Sequence, residues 1–237
     1  MVTDFKALYE EQALHADAMW EEPLKEEYEA DRWYCLNRNQ IFIEMIGDVC
    51  EGKSVLSVGA GREWIEREFL NALNASKIIK TDLIPSPEHD IIEADAHNLP
   101  FENETFDCVS CRDVIEHVQD EQVVMKELNR VLKVGGYLII STPNVYNAPF
   151  DNRIHVRGYT PHSFLKEMVD HGFEVIEKRG NVPNILLMYG LRELYYKGVR
   201  QPLEEFKDIA KKVAKFKDSY YIGTQLFILA KKVLNEY

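Results

Sequence analysis

Two glycines and an acid carry the first chemical signal in this chain. Residues 54–61, SVLSVGAG, run as a short apolar strand straight into a glycine-rich turn. Gly59 and Gly61 let the main chain bend sharply and leave room for a ligand against it. The following segment, Arg62 to Leu73, has helical character, so that ligand would sit where a strand meets a helix N-terminus. A second apolar run, Ile78 and Ile79, ends in Asp82, twenty-three residues beyond Gly59. A doubly wound sheet places an acid at that point to hold ribose hydroxyls. Together these features specify a nucleoside-containing ligand.

Two cofactor classes meet that description, and residues 62–64 separate them. A dinucleotide fingerprint needs a third glycine so that helix and strand pack closely, and here that place holds Trp64. Glu63 falls in the first helical turn, where a dinucleotide puts its pyrophosphate. Two like charges ~4 Å apart cost about 4 kcal/mol at an effective dielectric near 20. S-adenosylmethionine carries no phosphate, and its ammonium and sulfonium tolerate a nearby acid, so it is the better fit.

The elements that must position these groups alternate along the chain. An amphipathic helix at 38–49 precedes strand one at 54–58; a helix at 63–73 leads to strand two at 77–82. Short strand three (90–93) and strand four (106–111) are followed by a helix at 120–132 with Val124, Leu128 and Val131 on one side. Gly135-Gly136 is read as the turn into strand five at 137–142, and Thr160-Pro161 opens a helix to about 170. FEVIEK then forms strand six and residues 224–233 strand seven. The expected fold is α/β, a doubly wound, mostly parallel seven-stranded sheet with N-terminal helices, in one domain. Its parts are an N-terminal helical cap (1–52), a cofactor-binding core (53–180), a helical insertion (181–220) and the final strand (221–237). Between strands six and seven the insertion carries two expected helices, 184–197 and 203–217, read as a lid, part of an acceptor pocket or a homodimer contact.

Composition narrows the partners. The 237 residues carry a formal net charge of −12, which repels a polyphosphate backbone, so nucleic acid is not an expected partner. No apolar run approaches a membrane span, and the N-terminus lacks the basic start and apolar core of a secretory leader, so the expected location is cytoplasmic. Of four cysteines, Cys108 and Cys111 have the spacing of half a zinc site, but positions three apart in a strand face opposite ways. No metal is assigned to them.

From residue 53 to about 178 the order of segments resembles a class I S-adenosylmethionine-dependent methyltransferase, closest to the ubiquinone-biosynthesis O-methyltransferase branch. The carrying segments are VLSVGAG (55–61), IKTDL (79–83), EADAHNLPF (93–101), FDCVSCRDVIEHV (106–118), LNRVLKVGGYLIISTPN (128–144) and HGFEV (171–175). The resemblance implies an antiparallel last strand. It also implies that Gly59, Ala60 and Gly61 lie against the methionine part of the cofactor, that Asp82 binds the ribose, and that Leu83 packs on the adenine. Asp95 would accept the adenine amino group, with Ala96 and His97 beside the ring; Arg112 would contact the cofactor and Arg38 its carboxylate. Two positions depart from the pattern: Ser57 stands where strand one usually ends in aspartate, and Glu63 replaces a glycine. Glu63 is the candidate to supply the missing carboxylate.

Methyl transfer from a sulfonium is an in-line displacement that demands alignment and exclusion of water. A hydroxyl nucleophile must also lose a proton. Glu116 and His117 follow strand four next to the expected methyl position, and His155 with Tyr159 lies on the loop after strand five. Relatives in the quinone pathway associate an acid, an acid and a histidine at the places of Asp113, Glu116 and His117 with a divalent metal; the same pair also occurs as a brace for the next helix. The resulting reading is transfer to a small-molecule acceptor on oxygen, with His117, Glu116 and His155 as candidate catalytic groups. The other reading is a cofactor-binding module without catalysis, in a regulatory or assembly role, motivated by Ser57 and Glu63.

Overall fold

A computed structural model describes residues 29–61, 64–146, 155–181, 220 and 225–234; the two expected insertion helices, their lid or dimer role, Glu63 and most of the N-terminal cap lie outside these residues. Helix α1 (Glu29–Ile46) is followed by a 3-10 turn (Gly47–Cys50), then β1 (Ser54–Val58), α2 (Trp64–Ala72), β2 (Lys77–Asp82), β3 (Ile91–Glu93) and β4 (Phe106–Arg112). Next come α3 (Glu121–Val131), β5 (Leu132–Pro143), α4 (Pro161–Asp170), β6 (Phe173–Gly180) and β7 (Gln225–Lys232). The seven strands form one sheet in the order β3-β2-β1-β4-β5-β7-β6, with β7 antiparallel to both neighbours. This is the doubly wound sheet expected from the alternation of elements.

Apolar side chains face both ways from the inner strands, as buried parallel strands require. Leu56, Val109 and Leu138 pack with α3 and α4, whereas Val55, Cys108 and Ile139 pack with α1 and α2. Cys108 and Cys111 therefore lie on opposite faces of the sheet. In α3, Val124, Met125, Leu128 and Val131 are buried at helical spacing. Its start is fixed by Asp120, whose carboxylate accepts the backbone N–H groups of Gln122 and Val123. Thr160 and Ser163 cap α4 reciprocally, with Pro161 in the first turn.

Two boundaries differ from the expectation. The first helix starts earlier and its end tightens into the 3-10 turn by Gly47. Strand β5 starts at Leu132, so Gly135-Gly136 lies inside it rather than before it. The register between β4 and β5 shifts there: Phe106 faces Leu132 and Cys108 faces Tyr137. Gly135 takes φ +77°, and a Cβ on Gly136 would stand 2.8 Å from the carbonyl oxygen of Asp107. The pair absorbs an irregularity in the ladder. Among the described residues no helix is long and apolar enough to cross a membrane.

Candidate functional site

The carboxyl ends of β1, β2 and β4 converge on a cavity of about 240 Å³. After β1, Gly59 and Gly61 adopt φ +68° and +58°, and a Cβ on Gly59 would come 2.3 Å from Val114 Cγ2. Only glycine fits that approach. The Asp82 carboxylate holds the turn: Gly61 N–H donates to Oδ2 and Ile84 N–H to Oδ1, both at 2.9 Å.

Gly59, Asp82, Leu83, Asp95, Ala96 and His97 all line this cavity, with Asp113, Val114 and His117 closing another side. Ala60 and Gly61 open instead onto a neighbouring cavity of about 160 Å³ beside Glu66 and Lys80. Asp95 accepts from His97 twice, from the backbone N–H at 2.9 Å and the ring Nδ1 at 2.6 Å. Burial opposes the Asp95 charge, but these bonds outweigh it and hold the carboxyl below its usual range. His97 Nε2 accepts the backbone N–H of Asp120 at 3.3 Å, tying this wall to the start of α3.

Arg112 and Arg38 are not among the residues lining the cavity. The Arg112 guanidinium pairs with Glu66 at 2.9 Å, donates to Asn39 Oδ1 at 2.7 Å and stacks over the Phe69 and Phe42 rings at 4.0 and 4.7 Å. Ser57 Oγ donates to the same Glu66 carboxylate at 3.0 Å. A carboxylate is thus delivered to the end of β1 from the first turn of α2, by Glu66. Arg38 pairs with Asp113, whose Oδ1 also accepts from Ser141 Oγ at 2.8 Å.

Beyond β4 the three candidate catalytic groups meet. One ligating atom from each of Glu116, His117 and His155 lies within 4.8 Å of the other two. The histidine rings meet edge to face with centroids 4.8 Å apart, and His117 Nε2 is 3.9 Å from Glu116 Oε1. Glu116 is 1% exposed and accepts from Thr142 Oγ1 at 3.1 Å. Burial pushes its carboxyl up to about 7 and lowers the His155 imidazole. Asp113 and Glu116 do not share a helix face, because residues 115–117 form a tight turn in which His117 N–H donates to the Val114 carbonyl.

The loops are drawn together by main-chain contacts. Val156 N–H donates to the Glu116 carbonyl at 2.9 Å. Arg157 donates to the carbonyls of Ile115, Val118 and Gln119 at 3.0, 2.5 and 2.9 Å and pairs with Glu121 at 2.8 Å. Sequence reasoning assigned no role to Glu66 or Arg157. Glu66 had one available signal, an acid on the helix after a strand that lacks its terminal aspartate.

Residues 56–140 match a family model described as a methyltransferase domain. A Mycobacterium tuberculosis protein named "Probable S-adenosylmethionine-dependent methyltransferase" is 27% identical over 154 residues, covering 59% of this chain and 56% of its own. A ubiquinone/menaquinone biosynthesis C-methyltransferase of Pseudomonas savastanoi is 30% identical over 139 residues, 52% of each chain. The chain thus spans little more than half the length of these curated relatives. A Haloferax volcanii methyltransferase, solved with the Trm112 methyltransferase activator, superposes with a TM-score of 0.66 at 15% identity, covering 99% of this chain and 100% of its own. The [4+2]-cyclase SpnF shares the fold with a TM-score of 0.57 at 16% identity, covering 83% of this chain and 82% of its own. Fold alone therefore does not fix the chemistry.

Proposed function

We propose that this chain, whose core is a class I S-adenosylmethionine-dependent methyltransferase domain, transfers a methyl group to an acidic hydroxyl of a small-molecule acceptor. The observation that carries this reading is a shared wall. His117 lines the cavity that holds Gly59, Asp82 and Asp95, and it also belongs to the cluster with Glu116 and His155. When bound, S-adenosylmethionine supplies the methyl as an electrophile on sulfonium and leaves as a neutral thioether, so no acid is required.

In this reading Asp82 takes the ribose hydroxyls and Leu83, Ala96 and His97 flank the adenine, whose amino group donates to Asp95. Gly59, Ala60 and Gly61 give the methionine part access to the main chain. Arg38 and Arg112 act one step back, holding Asp113 in the cavity wall and Glu66 at the end of β1. His117 faces the acceptor and receives its proton, with His155 and Glu116 packed behind it. Burial lowers the His155 imidazole and so favours its neutral form. The delivery of Glu66 to Ser57 speaks against a module without catalysis.

Transfer to a ring carbon beside an ionised hydroxyl begins with the same proton loss, and the C-methyltransferase named among the relatives favours this second reading. The test is incubation of the full chain with methyl-labelled S-adenosylmethionine and a panel of phenols, enols, carboxylic acids and amines. Label on a phenolic or enolic oxygen is the expected result, and label on the adjacent carbon selects the second reading. Transfer to amines alone, or no cofactor binding, defeats both.

A further inference from the structure

Buried carbonyl groups need donors, and the turn that carries Glu116 and His117 draws its donors from another part of the chain. Ile115 and Glu116 are buried, and the backbone bond described within the turn is His117 N–H to the Val114 carbonyl. Four of the five carbonyls of 115–119 are bound by two consecutive residues of the loop after β5. Val156 N–H donates to Glu116. Arg157 Nη1 donates to Ile115 and Val118, and Nη2 to Gln119. Nη2 also pairs with Glu121 in the first turn of α3. The far end of this loop is anchored in the core, where Tyr159 is buried and its carbonyl accepts from Val145 N–H. His155 adjoins the clasp, and its ring meets that of His117 edge to face.

We infer that Arg157 is a positioning residue for the reaction, setting His155 against His117 by clasping the main chain of the turn that bears His117. Arg157 is not among the residues lining the cavity, so it acts through the histidines and not on a ligand. A guanidinium suits this task because its planar fork presents donors in fixed directions, whereas an ammonium carries the same charge at a single point. Both terminal nitrogens of the fork are engaged twice here. A catalytic group must be held within about 0.5 Å of its working position, and a misplacement of about 1 Å costs on the order of a hundredfold in rate. The effect of Arg157 on turnover rests on the hydroxyl reading above; its grip on the turn does not.

The test compares the full chain with Arg157→Lys, His155→Asn and the double variant. Methyl transfer to an acceptor hydroxyl is measured at saturating S-adenosylmethionine, cofactor affinity by calorimetry, and amide exchange over 115–119 and 155–157 by mass spectrometry. Arg157→Lys should lower kcat by at least about tenfold while the cofactor Kd moves by less than about threefold. Both segments should exchange faster. In the His155→Asn background the same substitution should cost less than about threefold, because the clasp then has no imidazole to place. Arg157→Gln keeps a planar donor without the charge, and it is read in the same way where circular dichroism shows that Arg157→Lys has not folded. Parental kcat in Arg157→Lys, an equal fold-loss in both backgrounds, or a loss confined to cofactor affinity overturns the proposal. If the parent methylates no hydroxyl, the hydroxyl reading falls and exchange alone decides the clasp: faster exchange upholds it and unchanged exchange overturns it.

Discussion

Glu66 is the residue whose removal tests the architecture most directly. It accepts the Ser57 hydroxyl and pairs with Arg112, and the two charged side chains are only 13% and 7% exposed. In Glu66→Ala the Arg112 cation stays buried with Asn39 and two aromatic faces as its remaining named contacts. Breaking one side of a buried pair costs about 3–5 kcal/mol. Glu66→Gln keeps the shape but puts an NH2 donor where one carboxylate oxygen accepts and removes the anion facing Arg112, a loss of about 2 kcal/mol. Arg112→Met preserves a long apolar stem over Phe42 and Phe69. The double variant Glu66→Ala/Arg112→Met strands neither charge, so its cost should fall short of the sum of the two single costs by about 2 kcal/mol or more. Urea unfolding of the four proteins measures each quantity. Additivity within about 0.5 kcal/mol would show that the two residues do not act as a pair, and the account of how a carboxylate reaches the end of β1 would be wrong.

Asp82→Asn should weaken S-adenosylmethionine by about tenfold or more, through loss of charge-assisted bonds to the ribose; calorimetry at parental affinity would contradict the assignment. Gly59→Ala should destabilise the turn by about 1–3 kcal/mol, and adding Val114→Ala should recover only the part due to the 2.3 Å approach, since φ +68° persists; thermal melts of both variants read this. Asp107 is held down at about 2 by its bonds from Lys133 and then Ser54. A depressed carboxyl adds stability above its unfolded value, about 3.9, and that contribution fades as pH falls through about 2. The stability gap between the parent and Asp107→Asn should therefore be constant above about pH 5 and close toward pH 2; given partial exposure it should be about 1 kcal/mol, read from urea midpoints across pH.

The strands and helices were legible because their patterns are local. SVLSV carries no charged residue and only two small hydroxyls, as a strand covered on both faces allows, and Val124, Leu128 and Val131 recur at helical spacing. Six cavity residues follow from strand ends, where sequence order and space coincide: Gly59, Asp82, Leu83, Asp95, Ala96 and His97. The meeting of Glu116 and His117 with His155 joins two loops separated by α3 and β5, and the proximity depends on Val156 N–H reaching the Glu116 carbonyl. Glu66 escaped notice for the same reason, since its partner Arg112 is forty-six positions away. The Gly135-Gly136 pair misled because glycines in a turn and in a ladder irregularity look alike until the register against Asp107 is known.

Arg157 joins the turn at 115–119 to the loop at 155–157. On 115–119 its guanidinium takes three carbonyl oxygens, with the Glu121 carboxylate as a further partner, so it ties that main chain to the loop carrying His155. Val118 and Gln119 border the cavity that also holds Gly59, Asp82 and Asp95. A ligand that shifts those residues therefore does work on the loop at 155–157, and an acceptor that shifts 155–157 does the same work in reverse. By linkage, whatever factor one occupant lends the other's affinity is returned undiminished. In this fold any such coupling would run through three peptide carbonyls gripped by one arginine and a fourth held by the Val156 N–H.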